Sequence, residues 1–234
     1  MHYRTLLLDA DGTILDFDRS EAEAIRRTLS LYQLPDTAEW VETYHHINDA
    51  LWKQLERGEI SKHDLRHVRF SRLLEHYGAE RNAFSMADTY MEELSSRSYL
   101  LPGALEACKA LARTHSLYII TNGIALVQKR RLAAIPFEGI ISKSYISEEV
   151  GYEKPDVRFF QEVIQDIPTF ERETTLVVGD SLTSDMAGGI AAGLDTCWIN
   201  PQNRPIPASL SITYSIPSMA ALPALLMRNE DRCL

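Results

Sequence analysis

A parallel α/β fold interrupted by an all-helical insertion is what this sequence predicts, on three observations. First, short apolar runs at Leu6–Leu8, Leu117–Ile120, Thr175–Val178 and Cys197–Ile199 alternate with helical segments. That alternation belongs to a parallel sheet covered on both faces. Second, from about residue 19 to about 98 only helical periodicity occurs, with no strand-like alternation and no β-branched run. Third, three of the apolar runs stop at polar groups, Asp9/Asp11, Thr121 and Asp180. In open α/β sheets the C-terminal rim of the strands is where ligands bind.

The elements follow in chain order. Leu6-Leu7-Leu8 closed by Asp9, Asp11, Gly12 and Thr13 reads as a buried strand and a turn. Ser20-x-x-Glu23 fits a capping box opening a helix toward Leu31. Trp40, Tyr44, Ile47, Leu51 and Leu55 keep three- and four-residue spacing up to Gly58, so their aromatic rings are expected in a helical core. Ser61-x-x-Asp64 opens a third helix that Gly78 closes, and Ala83 to Ser96 forms a fourth. These four can bury one another as a small bundle. Beyond Leu101-Pro102-Gly103, helices are predicted at Ala104–Ala112, Val127–Ala134, Val157–Gln165 and Met186–Ala192. Weaker strands are predicted near Ile140–Ser144 and Ile212–Tyr214. The glycines between 188 and 193 lack the spacing and placement of a nucleotide-binding loop; they read as a close approach of helix to sheet.

The 234 residues suit a core with a smaller insert, and 45% hydrophobic residues supply a sizeable interior. Twenty-four basic against 33 acidic residues give a net charge of −9. That balance argues against polymeric nucleic acid and anionic membranes as partners, but a local cation can still hold a small phosphorylated substrate. The three cysteines, Cys108, Cys197 and Cys233, are scattered and lack C-x-x-C spacing. They read as reduced thiols of a cytoplasmic protein. Asp9 arrives too soon for a signal peptide, and no run approaches the roughly 18 apolar residues of a membrane span. His45-His46 lacks a matching ligand cluster, and His63 and His67 lie on a polar helix without a third ligand, so zinc is not expected.

If the strands are adjacent, Asp9, Asp11, Thr121 and Asp180 face one crevice, with Lys154 a further candidate just before a helix. The set matches what phosphoryl transfer needs. A carboxylate can attack phosphorus and divide a difficult step in two. A divalent cation must offset the repulsion between carboxylate and phosphate, and Mg²⁺ takes hard oxygen ligands. A lysine and a hydroxyl can hold the equatorial oxygens. A second carboxyl can shuttle the proton.

These residues stand in four motifs: DADGT at 9–13, TNG at 121–123, Lys154-Pro155, and GDSLTSD at 179–185. In order and interval they resemble the haloacid dehalogenase superfamily of phosphohydrolases. The resemblance implies a Rossmann-like core over residues 1–17 and 99–234 and a helical cap over 18–98, with hinges near Asp16–Arg19 and Ser98–Gly103. It implies Asp9 as nucleophile and Asp11 as general acid/base. Thr121, Asn122 and Lys154 would bind the phosphoryl group. Asp9, the Asp11 backbone carbonyl and Asp180 would hold Mg²⁺, with Asp185 supporting the metal through a water. An Asp at 11 favours a phosphatase over the dehalogenases, which lack a carboxylate there, and over the transport ATPases, which carry Thr. Asn48, Leu51-Trp52, Leu55, Gly58–Ser61, Arg69-Phe70, Ile146–Gly151 and Gly188–Gly193 are similar to the branch that hydrolyses nucleoside 5′-monophosphates, some members preferring pyrimidine or modified nucleotides.

The expectation is therefore a Mg²⁺-dependent phosphomonoester hydrolase, monomer or homodimer, acting on a small phosphorylated metabolite, with a nucleoside monophosphate foremost. A sugar-phosphate or phosphoglycolate-type phosphatase and a phosphomutase are the enzymatic alternatives. A non-catalytic metabolite-binding module is the alternative of another class, and none of the four motifs is degraded.

Overall fold

The computed structural model describes residues 3–230, so Cys233 lies outside the described residues. Strands β1 (Thr5–Asp9), β2 (Ser116–Thr121), β3 (Ile141–Ile146), β4 (Thr175–Gly179), β5 (Asp195–Ile199) and β6 (Tyr214–Ile216) form one sheet in the order β3-β2-β1-β4-β5-β6. Every pairing is parallel. All residues of β1 and β4 are buried, as both-face burial of a parallel sheet requires. The order reverses between β1 and β4, which places their C-terminal ends at the topological switch point.

The helices are α1 (Phe17–Leu31), α2 (Ala38–Glu56), α3 (Lys62–Tyr77), α4 (Ala83–Ser95), α5 (Ala104–Leu111), α6 (Ala125–Ala133), α7 (Ser147–Val150), α8 (Val157–Asp166), α9 (Ala187–Ala191) and α10 (Leu222–Glu230). The chain divides into two compact units. One comprises the chain up to Asp16, Leu100–Ala125 and the chain from Pro136 on; the other comprises Phe17–Tyr99 and Leu126–Ile135.

In the α/β unit, Leu7, Ile120 and Val177 of the sheet pack with Phe159, Phe160 and Val163 of α8. Gly188 and Gly189 make the close approach that their sequence suggests. A Cβ at Gly188 would meet the Phe160 ring and the Pro155 backbone, and one at Gly189 would meet Thr196 and Val177. Cys108 and Cys197 are free and buried, and burial pushes both thiols up to about 12, so neither ionises near neutrality.

In the helical unit, Tyr44, Phe70 and Tyr90 form an aromatic core with ring centroids 5.3–5.6 Å apart. Trp40 stacks on Tyr77 at 3.9 Å. A polar chain runs beside these rings. Buried Glu21 accepts from Asn48 at 2.7 Å and pairs with His45 Nδ1 at 2.6 Å. The Asn48 oxygen accepts from the buried Arg69 guanidinium at 3.2 Å, which lies 4.6 Å over the Tyr90 ring. Buried charges need such partners, because desolvation costs several kcal/mol per ion.

Three elements depart from the sequence expectation. The first helix begins at Phe17, not Ser20; Ser20 is buried within it, and Glu23 instead binds Arg19 and Tyr99. The helix predicted from Met186 is preceded by a wide π-helical turn, Leu182–Met186, so helical winding starts four residues earlier. The last strand falls at Tyr214–Ile216, two residues beyond the predicted start, because Cys197, Trp198 and Ile199 find their backbone partners there. Ser61 and Gly78 do bound α3 as read: the Ser61 hydroxyl accepts from Asp64 N–H, and Gly78 takes the left-handed conformation at φ 59°. Among the described residues, no helix is long and apolar enough to cross a membrane.

Candidate active site

The site forms within the α/β unit where β1, β2 and β4 end. Asp9 closes β1, and its backbone pairs with Ile120 of β2. The chain then turns sharply. Gly12 N–H donates to Leu15 O at 2.9 Å, and Ile14 and Leu15 both donate to Ala10 O. Gly12 needs φ 78°, and a Cβ there would collide with the Asp180 carboxylate. Glycine therefore serves twice, for the left-handed turn and for room beside a ligand-bearing side chain.

Asp180 follows β4 directly, and the indole N–H of Trp198 donates to its backbone carbonyl at 2.9 Å. The π-helical turn returns Asp185 toward the strand end, where Ser181 N–H donates to its carboxylate at 3.1 Å. A Cβ at Gly179 would strike that carboxylate. Asp9, Asp180 and Asp185 each offer an oxygen within 4.8 Å of the others.

Lys154 lies among them. Its Nζ donates to Asp9 at 2.6 Å, to Asp185 at 2.6 Å and to the Ile120 carbonyl at 3.0 Å, and the side chain is 1% exposed. Asn122 clamps the Lys154 backbone from both sides, donating to its carbonyl at 2.7 Å and accepting from its N–H at 2.9 Å. The next peptide bond, Lys154–Pro155, is cis. Thr121 is buried at the end of β2, and its hydroxyl accepts from Gly123 N–H at 3.1 Å.

Burial dominates the electrostatics. It pushes Asp9 well above the usual carboxylate range; Lys154 pulls it down, and Asp185 and Asp180 add to the rise. Burial, then the Asp185 charge, pushes Asp180 up to about 7. For Lys154, burial disfavours the ammonium, but Asp185 and Asp9 outweigh it and hold the group above its ordinary value. Three carboxylates against one ammonium leave an excess of two negative charges when all ionise. That deficit and the all-oxygen donor set suit a hard divalent cation, which would draw the protons off the raised carboxyls.

The structure thus brings Asp9, Lys154, Asp180 and Asp185 together, with Asn122 behind Lys154. Asp185 bonds directly to Lys154, a contact that the sequence does not suggest. Asp11 lies half-buried in the turn after β1, near enough for its charge to raise Asp180. The Ile120 carbonyl, Trp198 and the cradle at Gly12 and Gly179 escaped sequence reasoning. Only the two glycines carried a signal, since each adjoins a motif carboxylate.

Comparison with known proteins gives the family. Residues 3–193 match the family model of haloacid dehalogenase-like hydrolases. The HAD-hydrolase YfnB of Bacillus subtilis (strain 168) is 38% identical over 94% of both chains. Its crystal structure, bound to magnesium and revealing interdomain movement, covers 97% of this chain and 99% of its own, with a TM-score of 0.92 at 37% identity. The pyrimidine 5′-nucleotidase PynA of Streptococcus pneumoniae (strain ATCC BAA-255 / R6) is 38% identical over 98% of this chain and 97% of its own. The pyrimidine 5′-nucleotidase YjjG of Escherichia coli (strain K12) is 31% identical over 98% of this chain and its entire length. With the family model spanning most of the sequence and these relatives matching nearly end to end, the chain belongs to the haloacid dehalogenase-like hydrolases.

Proposed function

We propose that the protein is a Mg²⁺-dependent phosphomonoester hydrolase that works through a phosphorylated Asp9 and takes nucleoside 5′-monophosphates, pyrimidine nucleotides foremost. The observation that carries the reading is the buried Asp9–Lys154–Asp185 bridge beside Asp180 at the switch point of the sheet. The two full-length relatives named as pyrimidine 5′-nucleotidases support the substrate class.

Asp9, Asp180 and Asp185 would supply the carboxylates that hold the cation, and the Asp11 backbone carbonyl would be a further ligand. When bound, Mg²⁺ supplies positive charge between the nucleophile and the phosphate. Lys154 engages one Asp9 oxygen and leaves the other to attack phosphorus. As the new oxygen–phosphorus bond forms, the bond from phosphorus to the ribose oxygen breaks. Asp11 gives that oxygen its proton, and the nucleoside leaves. Water, deprotonated by Asp11, then attacks phosphorus. The Asp9–phosphoryl bond breaks, orthophosphate departs and the carboxylate returns. Thr121 and Asn122, at the end of β2, hold the phosphoryl oxygens.

Orthophosphate release from a panel of nucleoside 5′-monophosphates, sugar phosphates and phosphoglycolate, with Mg²⁺ present, tests the reading. A pyrimidine nucleoside monophosphate should turn over fastest, and Asp9→Asn should lower the rate by about 10³-fold or more while leaving the melting temperature near that of the parent. Release from no ester sinks the enzymatic reading; faster release from a sugar phosphate moves the substrate class.

A further inference from the structure

A cleft of about 650 Å³ opens at the end of the sheet opposite Asp9. It lies wholly within the α/β unit. Its walls are the start of β1, the start of β2, the turn after α5 and the loop after α8. Thr5 pairs with Ser116, and Ser116 N–H donates to the Arg4 carbonyl at 2.8 Å, so the two strand starts are held side by side. Ser116 and Tyr118 stand two apart on β2 and share one face of the sheet, and both line the cleft. From Thr5 to Asp9, β1 rises about 13 Å at about 3.3 Å per residue, so the cleft is separate from the carboxylate cluster.

The charge of this cleft runs against that of the whole protein. The chain carries a net charge of −9, yet Arg4, Arg113 and His115 line the cleft against one carboxylate, Glu171. A local cation excess of this kind attracts anions whatever the global charge. Among the described residues, no carboxylate pairs with the Arg113 guanidinium. Arg4 meets Glu171 at 3.6 Å with both side chains largely in solvent, a weak pair that a more highly charged anion can replace. The Glu171 carboxylate has a second partner in the Thr174 hydroxyl, at 3.4 Å. Ser116 and Thr169 add hydroxyl donors to the lining. Thr169 holds φ at 54°, an outlier for a β-branched residue. Strain of this sort gathers at ligand clamps.

We propose that this cleft is a second ligand site, for a small phosphorylated polyanion. Arg4 and Arg113 take the phosphoryl oxygens, because planar guanidinium forks match phosphate geometry, and the hydroxyls of Ser116 and Thr169 donate beside them. The volume suits a ligand larger than orthophosphate, since small-molecule sites span about 300–1,000 Å³. A free polyphosphate and a nucleotide both supply the required group. The proposal is independent of the hydrolase reading, as it needs neither Mg²⁺ nor turnover.

Isothermal titration of the metal-free full-length protein, dialysed free of chelator, with pyrophosphate, uridine 5′-triphosphate and uridine tests it. Both anions should bind and uridine should not. Equal affinity for the two anions assigns the site to the phosphoryl groups alone; tighter binding of uridine 5′-triphosphate assigns it to a nucleotide. Arg113→Glu and Arg4→Glu, both at exposed positions, should each weaken binding by about tenfold or more, since each turns an attractive contact into a repulsive one. Hydrogen exchange locates the ligand. Uridine 5′-triphosphate should slow exchange at residues 112–116 and 168–171 and leave 121–125 and 180–185 unchanged. Binding of neither anion, unchanged affinity in both variants, or protection confined to 121–125 and 180–185 overturns the proposal.

Discussion

In the proposed mechanism Lys154 serves both stability and chemistry. Its ammonium neutralises part of a buried carboxylate cluster and also steers one oxygen of Asp9. Removing one partner of a buried ion pair leaves the rest uncompensated, which costs about 3–5 kcal/mol. Lys154→Met should show that loss in urea unfolding with chelator present, together with loss of turnover. If stability stays within about 1 kcal/mol of the parent, the bridge is not holding the cluster together. The lysine is legible in sequence only through its place among the motifs, because an isolated lysine is ordinarily solvated. Its three bonding partners come from β1, β2 and the turn after β4, and only folding assembles them.

At the scale of elements, local signals were reliable where the deciding interaction is itself local. Ser61 caps α3 because its hydroxyl reaches an N–H three residues on, and Gly78 ends the helix because the left-handed turn needs no Cβ. Ser61→Ala should cost about 1 kcal/mol, read from the denaturation midpoint, with turnover unchanged. The Ser20-x-x-Glu23 pattern has the same local form but does not act as a cap. Ser20 is claimed by Arg131, more than a hundred residues away, and Glu23 by Arg19 and Tyr99. Likewise β6 is placed by its pairing with β5, and the π-helical turn is stabilised by Asp185 binding Ser181 N–H and Lys154. Neither has a periodicity of its own to betray it.

At the scale of the molecule, two titrations report on the two units. In the helical unit, the hydrogen bond to Glu21 raises His45 from 6.5 to about 9; burial opposes the rise, and the Glu21 charge adds to it. A histidine raised in the folded state lends stability that is complete below its unfolded value of 6.5. That stability fades as pH climbs through the folded value, about 9. Urea midpoints at about pH 6 and about pH 9.5 should therefore fall for the parent, and His45→Gln should flatten that part of the slope. An unchanged slope would remove His45 from the account. In the α/β unit, Mg²⁺ bound by the folded carboxylates should raise the melting temperature. At a hundredfold excess over Kd the linkage is worth about 2.7 kcal/mol. Chelator should reverse the shift and Asp180→Asn should abolish it; a shift that survives Asp180→Asn places the metal elsewhere.

By itself, the sequence determined the class of fold, the presence of a helical insertion, and Asp9, Lys154, Asp180 and Asp185 as candidates that the fold brings together. Strand burial, helical periodicity and turn chemistry are short-range, so they are written in consecutive residues such as Leu6–Asp9 and Thr175–Asp180. Only the tertiary structure decided the contact of Lys154 with Asp185, the room made by Gly12 and Gly179, the Trp198 bond behind Asp180 and the grouping of α6 with the helical unit. Each of these depends on residues distant in the chain meeting at one point. No local pattern encodes such a meeting, because parallel strands acquire their neighbours only through crossovers that span the whole fold.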